Sequence, residues 1–221
     1  KMFLAGNSGN DIGEYACSTG FDVSTCAFTD NRSVSGQESS PSDVAFSTDG
    51  KKMFVSGFTG DDVNEYTLSV GFDLSSTFNF VDSFDVSSHN VGNGAIAFNT
   101  DGTKLFVGGM SGGEDEINEY PCSTGFDMSS CNLSAVSTFS ISGEQTNLTG
   151  LTFNTDGTKM FVGGVNPKNI NEYTCSTGFD VSTCTSTGDS FDVSGQDSSP
   201  QGLAFSTDGK KMFMAGAGND N

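Results

Sequence analysis

The apolar residues of this chain occur in short runs, and residues typical of turns separate the runs. The runs of the first complete unit are 42–47, 52–57, 63–66 and 78–86. They are rich in Val, Phe, Tyr and Ala, as β-strands are. Thr48-Asp49-Gly50 separates the first two runs, and Asp-Gly favours a hairpin because glycine tolerates a positive φ. No helical periodicity is present, so the pattern predicts four consecutive antiparallel strands.

The four-strand pattern recurs along the whole chain. A Lys-apolar-Phe tripeptide starts the second strand of each unit, with its lysine at Lys1, Lys52, Lys104, Lys159 and Lys211, at spacings of 51, 52, 55 and 52 residues. Units of about 50 residues with four short strands are typical of propeller blades. A β-solenoid, the main alternative, usually has shorter coils. We therefore predict an all-β fold, a β-propeller of four-stranded antiparallel blades.

The number of strands predicts how the blades are arranged. We expect one domain with repeat units at about 1–41, 42–93, 94–148, 149–200 and a partial unit at 201–221, which amounts to four and a fraction blades. A closed four-bladed ring would pair residues 201–206 with residues 1–6, and residues 211–216 would then compete for an occupied position. This surplus favours a part of a larger ring or array, with further blades or self-association. A closed four-bladed ring is the alternative.

The segment 45–55, Ala-Phe-Ser-Thr-Asp-Gly-Lys-Lys-Met-Phe-Val, resembles the YVTN-type and NHL-like propeller repeats. Blades of those families carry a similar run, apolar-Ser-x-Asp-Gly-x-x-apolar-aromatic-Val. The resemblance covers essentially the whole chain, while the Trp-Asp pair of the tryptophan–aspartate repeats is missing. It implies the fold and no particular reaction, because the family includes lactonases, binding modules and surface proteins.

Six cysteines form three pairs with the same spacing and the same position in their units. The pairs are Cys17 with Cys26, Cys122 with Cys131, and Cys175 with Cys184. The unit without cysteines has Leu68 and Thr77 at the two positions, so both partners are absent together. Metal ligation is poorly supported, because each unit offers two sulfurs and no nearby histidine. We predict three local disulfides, and hence an oxidising, secreted or cell-surface setting.

A glutamate of the predicted third strand follows the repeated lysine by 13 to 15 residues. The pairs are Lys1 with Glu14, Lys52 with Glu65, Lys104 with Glu119, and Lys159 with Glu172. If each hairpin is symmetric about its loop, the two side chains face each other across the second and third strands. Because a position repeated in every blade is a poor candidate for catalysis, we interpret these residues as structural ion pairs.

The chain has 28 acidic and 9 basic residues and a formal net charge of −19. Binding to nucleic acid requires clusters of Lys and Arg, so this charge argues against nucleic-acid partners. No run of about 20 apolar residues is present, which argues against membrane insertion. A strongly acidic surface is compatible with binding of cations.

Functional sites in propellers are expected where the repeat symmetry breaks. The breaks occur in the loops between second and third strands and in the loops that lead into each new blade. The candidate binding residues there are Asp61, Asp62, His89, Glu114, Asp115 and Glu116. The last three are candidate calcium ligands, because hard cations prefer clustered oxygen atoms. His89, the only histidine, is by itself more typical of a surface loop.

These observations predict a non-catalytic scaffold, secreted or displayed on a cell surface, that binds a protein or a glycan. The alternative is a metal-dependent hydrolase of the sugar-lactonase type, with a divalent cation held by acidic loop residues. No cofactor is implied with certainty, and calcium is the one candidate. Carboxylates that converge on one point of the central channel would favour the hydrolase.

Overall fold

Strands account for nearly all the regular structure in the computed structural model, which describes residues 1–90, 92–109, 115–134 and 136–218. The first eight are β1 (Met2–Gly6), β2 (Asp11–Cys17), β3 (Cys26–Ser33), β4 (Pro41–Phe46), β5 (Lys52–Gly57), β6 (Asp62–Leu68), β7 (Phe78–Asp85) and β8 (Asn93–Phe98). The others are β9 (Lys104–Gly109), β10 (Glu116–Pro121), β11 (Ser137–Ser140), β12 (Thr146–Phe153), β13 (Lys159–Asn166), β14 (Asn169–Cys175), β15 (Cys184–Asp192), β16 (Pro200–Phe205) and β17 (Met212–Gly216). The predicted all-β fold is confirmed.

The strands form antiparallel sheets in which consecutive strands are neighbours. The three-stranded sheet β1–β3 is blade 1, and the four-stranded sheets β4–β7, β8–β11 and β12–β15 are blades 2, 3 and 4. The two-stranded sheet β16–β17 is called the terminal sheet. Strands β4, β8, β12 and β16, the first strands of their units, lie next to one another. Within the described part of the chain, the arrangement is a β-propeller of four blades followed by the two-stranded terminal sheet.

The pairing of β16 differs from that of a closed four-bladed ring. Strand β16 pairs with β17, and β1 pairs with β2. The terminal sheet nevertheless contacts blade 1, because Lys211 Nζ donates to the carbonyl oxygen of Phe21 at 2.7 Å. The rings of Phe21 and Phe213 also stack, with centroids 6.2 Å apart. The terminal sheet therefore occupies a position of its own beside blade 1.

The core lies between the blades. Between blades 2 and 3, Phe54 of β5 and Tyr120 of β10 are fully buried and belong to one cluster with Leu105 and Val107 of β9. Each such side chain contributes about 1.5–3 kcal/mol through burial. Since a propeller sheet buries both faces, the strands β5, β9 and β13 carry almost continuous apolar runs.

The three predicted disulfides are confirmed. They are Cys17–Cys26, Cys122–Cys131 and Cys175–Cys184, and each closes the connection between the third and fourth strands of its blade. Within each connection a short 3₁₀ turn follows an aspartate, which caps it with a hydrogen bond from a backbone N–H; the aspartates are Asp22, Asp127 and Asp180. The sequence analysis did not predict these turns.

Each capping aspartate ends a Gly-Phe-Asp turn, and in blades 2, 3 and 4 the turn docks on the Asp-Gly hairpin of its own blade. Phe72 has a φ of 57°, which is rare for a bulky residue, and its N–H donates to the carbonyl oxygen of Gly50 at 3.0 Å. The Phe72 ring covers Gly50, where a Cβ atom would lie 2.2 Å from the ring. The Asp-Gly hairpin and the Gly-Phe-Asp turn therefore form one unit, and Phe126 and Phe179 repeat it over Gly102 and Gly157.

The repeated Lys and Glu join each blade to the next. Lys52 Nζ lies 2.8 Å from Glu65 Oε1 and donates at 2.6 Å to the carbonyl oxygen of Phe126 in blade 3. The second oxygen of Glu65 accepts the N–H of Met128, also in blade 3, at 2.9 Å. We call this set, a Lys-Glu pair that holds the Gly-Phe-Asp turn of the following blade, a clasp. Blade 3 forms the same clasp on blade 4 through Lys104 and Glu119.

The four predicted ion pairs are present, but their geometry differs from the expected one. The residue directly opposite Glu65 is Phe54, while Lys52 lies opposite Thr67. Lysine and glutamate are therefore diagonal neighbours on one face of the sheet. In blade 1, Lys1 Nζ lies 2.5 Å from Glu14 Oε1, and the N–H of Leu74 in blade 2 donates to the other oxygen at 2.8 Å.

Candidate functional site on the loop face

The loops between second and third strands and the loops that lead into each new blade lie on one face. Phe58 N–H donates to the Ser40 carbonyl at 3.1 Å, and Gly92 N–H donates to Asp61 Oδ1 at 2.7 Å. We call this surface the loop face. The opposite turn face carries the Asp-Gly hairpins, the Gly-Phe-Asp turns and the disulfides. The two faces thus separate the variable segments from the repeated ones.

Carboxylates collect on the loop face at blade 2. Asp61 ends the β5–β6 loop and Asp62 begins β6, while Glu38 comes from the β3–β4 loop and Asp85 ends β7. Glu38, Asp85 and Asp61 each raise the pKa of Asp62 through their charge, after the larger effect of burial. The sequence analysis named Asp61 and Asp62 as candidates, and the structure adds Asp85 to their surroundings.

Glu38 itself has a structural role in this cluster. It is fully buried and accepts the N–H of Ser40 at 2.6 Å and that of Thr59 at 3.4 Å. Asp197 makes the corresponding bonds to the N–H groups of Ser199 and Gly218 before the terminal sheet. Glu38 therefore fixes the two loops to each other, and Asp61 and Asp62 are the carboxylates that are better placed to meet a ligand.

The predicted calcium ligands lie in the β9–β10 loop of blade 3. Glu114 lies outside the described residues. The backbone carbonyl of Asp115 accepts the N–H of Ile141 at 2.7 Å, and Glu116 Oε1 accepts a hydrogen bond from Asn118 at 3.3 Å. These contacts hold the end of the loop, and calcium binding by the three residues stays a prediction.

Within the described ranges, no group of three or more His, Cys, Asp or Glu side chains is arranged to hold a metal ion. The carboxylates around Asp62 satisfy backbone and side-chain donors instead. His89 lies at the edge of the same face, with Nδ1 at 3.0 Å from Ser88 Oγ and its ring 6.0 Å from that of Tyr120. These contacts fit the expected role of His89 as a loop residue.

Asp43 is a carboxylate that the sequence analysis missed. It lies on the inner strand β4, where the aligned positions of the other units are Ala95, Gly150 and Gly202. Its oxygens accept the N–H of Val44 at 2.8 Å and that of Ile96, on the inner strand of blade 3, at 2.9 Å. Burial raises the pKa of Asp43 to about 7, against these two hydrogen bonds. The break in repeat symmetry at this position was readable from the sequence.

The described residues contain no helix with the length and apolarity needed to cross a membrane.

No family model matches the chain, and no curated protein matches it. Membership of the YVTN-type or NHL-like families therefore stays a prediction. Solved structures do match over nearly the whole chain. A candidate 6-phosphogluconolactonase from Bacteroides fragilis is 18% identical, with a TM-score of 0.54, over 97% of this chain and 59% of that one.

Two further solved structures give the same result. A candidate 6-phosphogluconolactonase from Bacteroides uniformis is 14% identical, with a TM-score of 0.55, over 97% of this chain and 59% of that one. A chain of the mitotic checkpoint complex is 15% identical, with a TM-score of 0.53, over 95% of this chain and 55% of that one. The class of protein is therefore a β-propeller. The chain spans little more than half the length of these structures.

Proposed function

We propose that this chain belongs to a secreted or cell-surface β-propeller that acts as a non-catalytic scaffold and binds a protein or a glycan through its loop face. The observation that carries the proposal is the cluster of carboxylates around Asp62. The cluster lies on the loop face, where the blades differ from one another, and none of its carboxylates takes part in a clasp. A ligand with a cationic group, or one bound through a cation, suits this cluster.

The proposed location rests on the three disulfides. Disulfides persist in oxidising compartments and are rare in the cytosol of most organisms. The acidic surface fits the same setting, since it keeps an exposed scaffold soluble and free of nucleic acid.

A binding screen with matched variants tests the proposal. The chain is offered to arrays of glycans and of extracellular proteins, with and without calcium, and the hits are measured by calorimetry. The variant Asp61→Asn/Asp62→Asn removes two charges on the loop face and keeps their acceptor oxygens. The control Asp30→Asn/Asp82→Asn removes two charges from the outer strands β3 and β7, where each aspartate accepts the N–H of the following residue.

We expect a loop-face ligand to lose about tenfold or more in affinity with the first variant and to bind the control as it binds the parent chain. Equal losses in both variants would indicate a non-specific effect of net charge and would contradict the proposed site.

The alternative is a hydrolase of the sugar-lactonase type, and the observation that favours it is the similarity to two candidate 6-phosphogluconolactonases. At 14–18% identity this similarity shows the fold alone. A lactone-opening assay with sugar lactones and a divalent cation distinguishes the two functions. If the chain turns over a lactone, and Asp61→Asn/Asp62→Asn abolishes this activity while the control retains it, the hydrolase function would replace the scaffold function.

A further inference from the structure

The face of blade 4 towards the terminal sheet carries half of a clasp. Lys159 Nζ lies 2.6 Å from Glu172 Oε1, as in the other blades. Within the described residues, however, Lys159 donates to no carbonyl of a following blade, and Glu172 accepts no N–H from one. The side chain of Glu172 is 25% exposed, against 2% for Glu65 and 8% for Glu119. Lys159 and Glu172 are therefore positioned to hold a Gly-Phe-Asp turn, but no such turn contacts them among the described residues.

The aromatic part of this clasp is also incomplete. In the clasp between blades 2 and 3, Phe54 packs on Phe98 at 4.6 Å and on Phe126 of the Gly-Phe-Asp turn at 6.2 Å. In blade 4, Phe161 packs on Phe205 at 4.6 Å, which reproduces the first of these contacts. The position of the third ring is a groove of about 230 Å³, with Phe161, Ile170, Glu172, Phe205 and Met212 in its lining.

The terminal sheet shows the matching feature. Gly209 has a φ of 69°, as Gly50 has one of 68°, and belongs to the same Asp-Gly hairpin. A Cβ atom on Gly50 would strike the ring of Phe72, while one on Gly209 would meet nothing within 4 Å. Strand β17 pairs with β16 along one edge, whereas β5, β9 and β13 each pair with a third strand along the other. Both the ring site and the strand edge are therefore open.

We propose that this groove is a docking site for a β-hairpin that carries a Gly-Phe-Asp turn, with the chemistry of the segment β14–β15 of this chain. The hairpin would add a third and a fourth strand to β17. The carbonyl of its phenylalanine would accept from Lys159, the N–H after its aspartate would donate to Glu172, and its ring would cover Gly209 beside Phe161.

The occupant is defined by three filled examples in the same molecule. The turns around Leu74, Met128 and Val181 all donate one N–H to the glutamate of the preceding blade. The ten residues 17–26 and the ten residues 175–184 have an identical sequence, Cys-Ser-Thr-Gly-Phe-Asp-Val-Ser-Thr-Cys. A hairpin of this repeat type therefore matches the groove in backbone donors, backbone acceptors and ring position.

The experiment uses the full chain and an oxidised peptide with the sequence of residues 169–192. Binding is followed by NMR spectroscopy of the labelled chain. We expect saturable one-to-one binding, with shifts at Phe161, Ile170 and Met212. Replacing the peptide's phenylalanine by Ala, or Glu172→Gln in the chain, should weaken binding about tenfold or more, because a hydrogen bond to a charged group is lost or a ring contact removed. The control Asp30→Asn lies on the outer strand β3, where Asp30 accepts the N–H of Asn31, and should leave binding unchanged.

A fused version removes any dependence on weak affinity. The same hairpin is joined behind residue 218 by a short flexible linker, which raises its effective concentration to the millimolar range. We expect a higher Tm than in a fusion whose hairpin has Ala in place of the phenylalanine. Equal Tm values for the two fusions would overturn the proposal. So would self-association of the chain through this groove that the hairpin does not disrupt, since a second copy would then be the occupant.

Discussion

Two interfaces of the propeller contain equivalent residues but differ in how many of the clasp contacts are formed. One lies between blades 2 and 3, and the other lies between blade 4 and the terminal sheet. In the first, Glu65 is buried and bonded to both Lys52 and the N–H of Met128. In the second, the carboxylate of Glu172 contacts Lys159 alone among the described residues, and the Glu172 side chain is partly exposed. The repeated Lys and Glu therefore form the contact between blades, and the Gly-Phe-Asp turn of the following blade buries them.

The largest effect should come from removing a clasp carboxylate. Glu65→Ala leaves the buried N–H of Met128 without an acceptor and Lys52 with the Phe126 carbonyl alone, which should cost about 3–5 kcal/mol of the free energy of unfolding. Glu172→Ala removes a partly exposed pair and should cost less than about 1 kcal/mol. Denaturant unfolding of both variants checks this. Equal costs would show that the clasp is not what distinguishes the two interfaces.

Opening a disulfide should have the next largest effect. Cys122→Ser/Cys131→Ser frees the connection whose turn fills the clasp of blade 2, and the loss should be about 2.7 kcal/mol for a ten-residue loop. The disulfide-free connection of blade 2 is the matched case. Leu68 lies opposite Phe78 there, so Leu68→Cys/Phe78→Cys places two cysteines in the register of Cys122 and Cys131 and should form a bridge. A stability that does not respond to the first double substitution would mean that the turn is held by the clasp alone.

A methyl group at the Asp-Gly hairpin tests the docking of the turn. Gly50→Ala combines an unfavourable positive φ with a clash against Phe72, whereas Gly209→Ala has the unfavourable φ alone. Overpacking of this kind costs about 1–3 kcal/mol, so Gly50→Ala should be the more destabilising by that amount. Thermal unfolding of the two variants measures the difference, and its absence would show that the Phe72 ring moves away at little cost.

A further effect concerns the inner strands and, unlike the others, depends on pH. In blades 2 and 3, Asp43 joins β4 to β8, while Gly150 lets β12 lie close to Gln201 and Leu203 of β16. Because burial raises the pKa of Asp43 to about 7 from 3.8, the folded state binds one more proton than the unfolded state between these values. Asp43 should therefore lower stability as the pH rises from about 4 to about 7, by up to about 1.4 kcal/mol per pH unit.

The variant Asp43→Asn should lose this pH dependence and gain stability relative to the parent chain at pH 8, with little difference at pH 4. Unfolding curves at several pH values give the two slopes. Equal slopes of the free energy of unfolding against pH in the parent chain and the variant would show that ionisation of Asp43 does not destabilise the folded state.

The repeat made most of the fold predictable. The tripeptide at Lys52 and the Asp-Gly at Gly50 located the second strand and its hairpin correctly, because both features depend on local backbone preferences. The pairing of the cysteines followed from the joint absence of Cys at Leu68 and Thr77. These features depend on neighbouring residues or on strict repetition, and a single sequence contains both kinds of information.

Contacts between blades were harder to predict. The bonds from Glu65 to Met128 and from Lys52 to Phe126 join residues that are more than 60 positions apart, and no local pattern gives their geometry. Arg32 shows the same limit. It stands where the other blades have a phenylalanine, a difference that is visible in the sequence but does not reveal a contact. In the structure its guanidinium donates to the carbonyl oxygens of Leu74, Ser75 and Ser76.

The candidate site was predictable only in part. Asp61 and Asp62 were found because they break the repeat in a loop. Asp43 was not predicted although it breaks the repeat too, because it lies on an inner strand, whereas the predicted site lay in the loops. Glu38 is a loop acid, and only the three-dimensional contacts show that it holds the Ser40 and Thr59 backbone.

Amide hydrogen exchange tests the central claim, that the Gly-Phe-Asp turns of blades 2, 3 and 4 are held by the glutamate of the preceding blade. The N–H groups of Leu74, Met128 and Val181 donate to Glu14, Glu65 and Glu119. The N–H of Val23, at the same position in blade 1, has no such acceptor among the described residues. We expect the first three amides to exchange about a hundredfold or more slowly than that of Val23, because they open only when the blades separate. Equal exchange rates at the four positions would contradict the account.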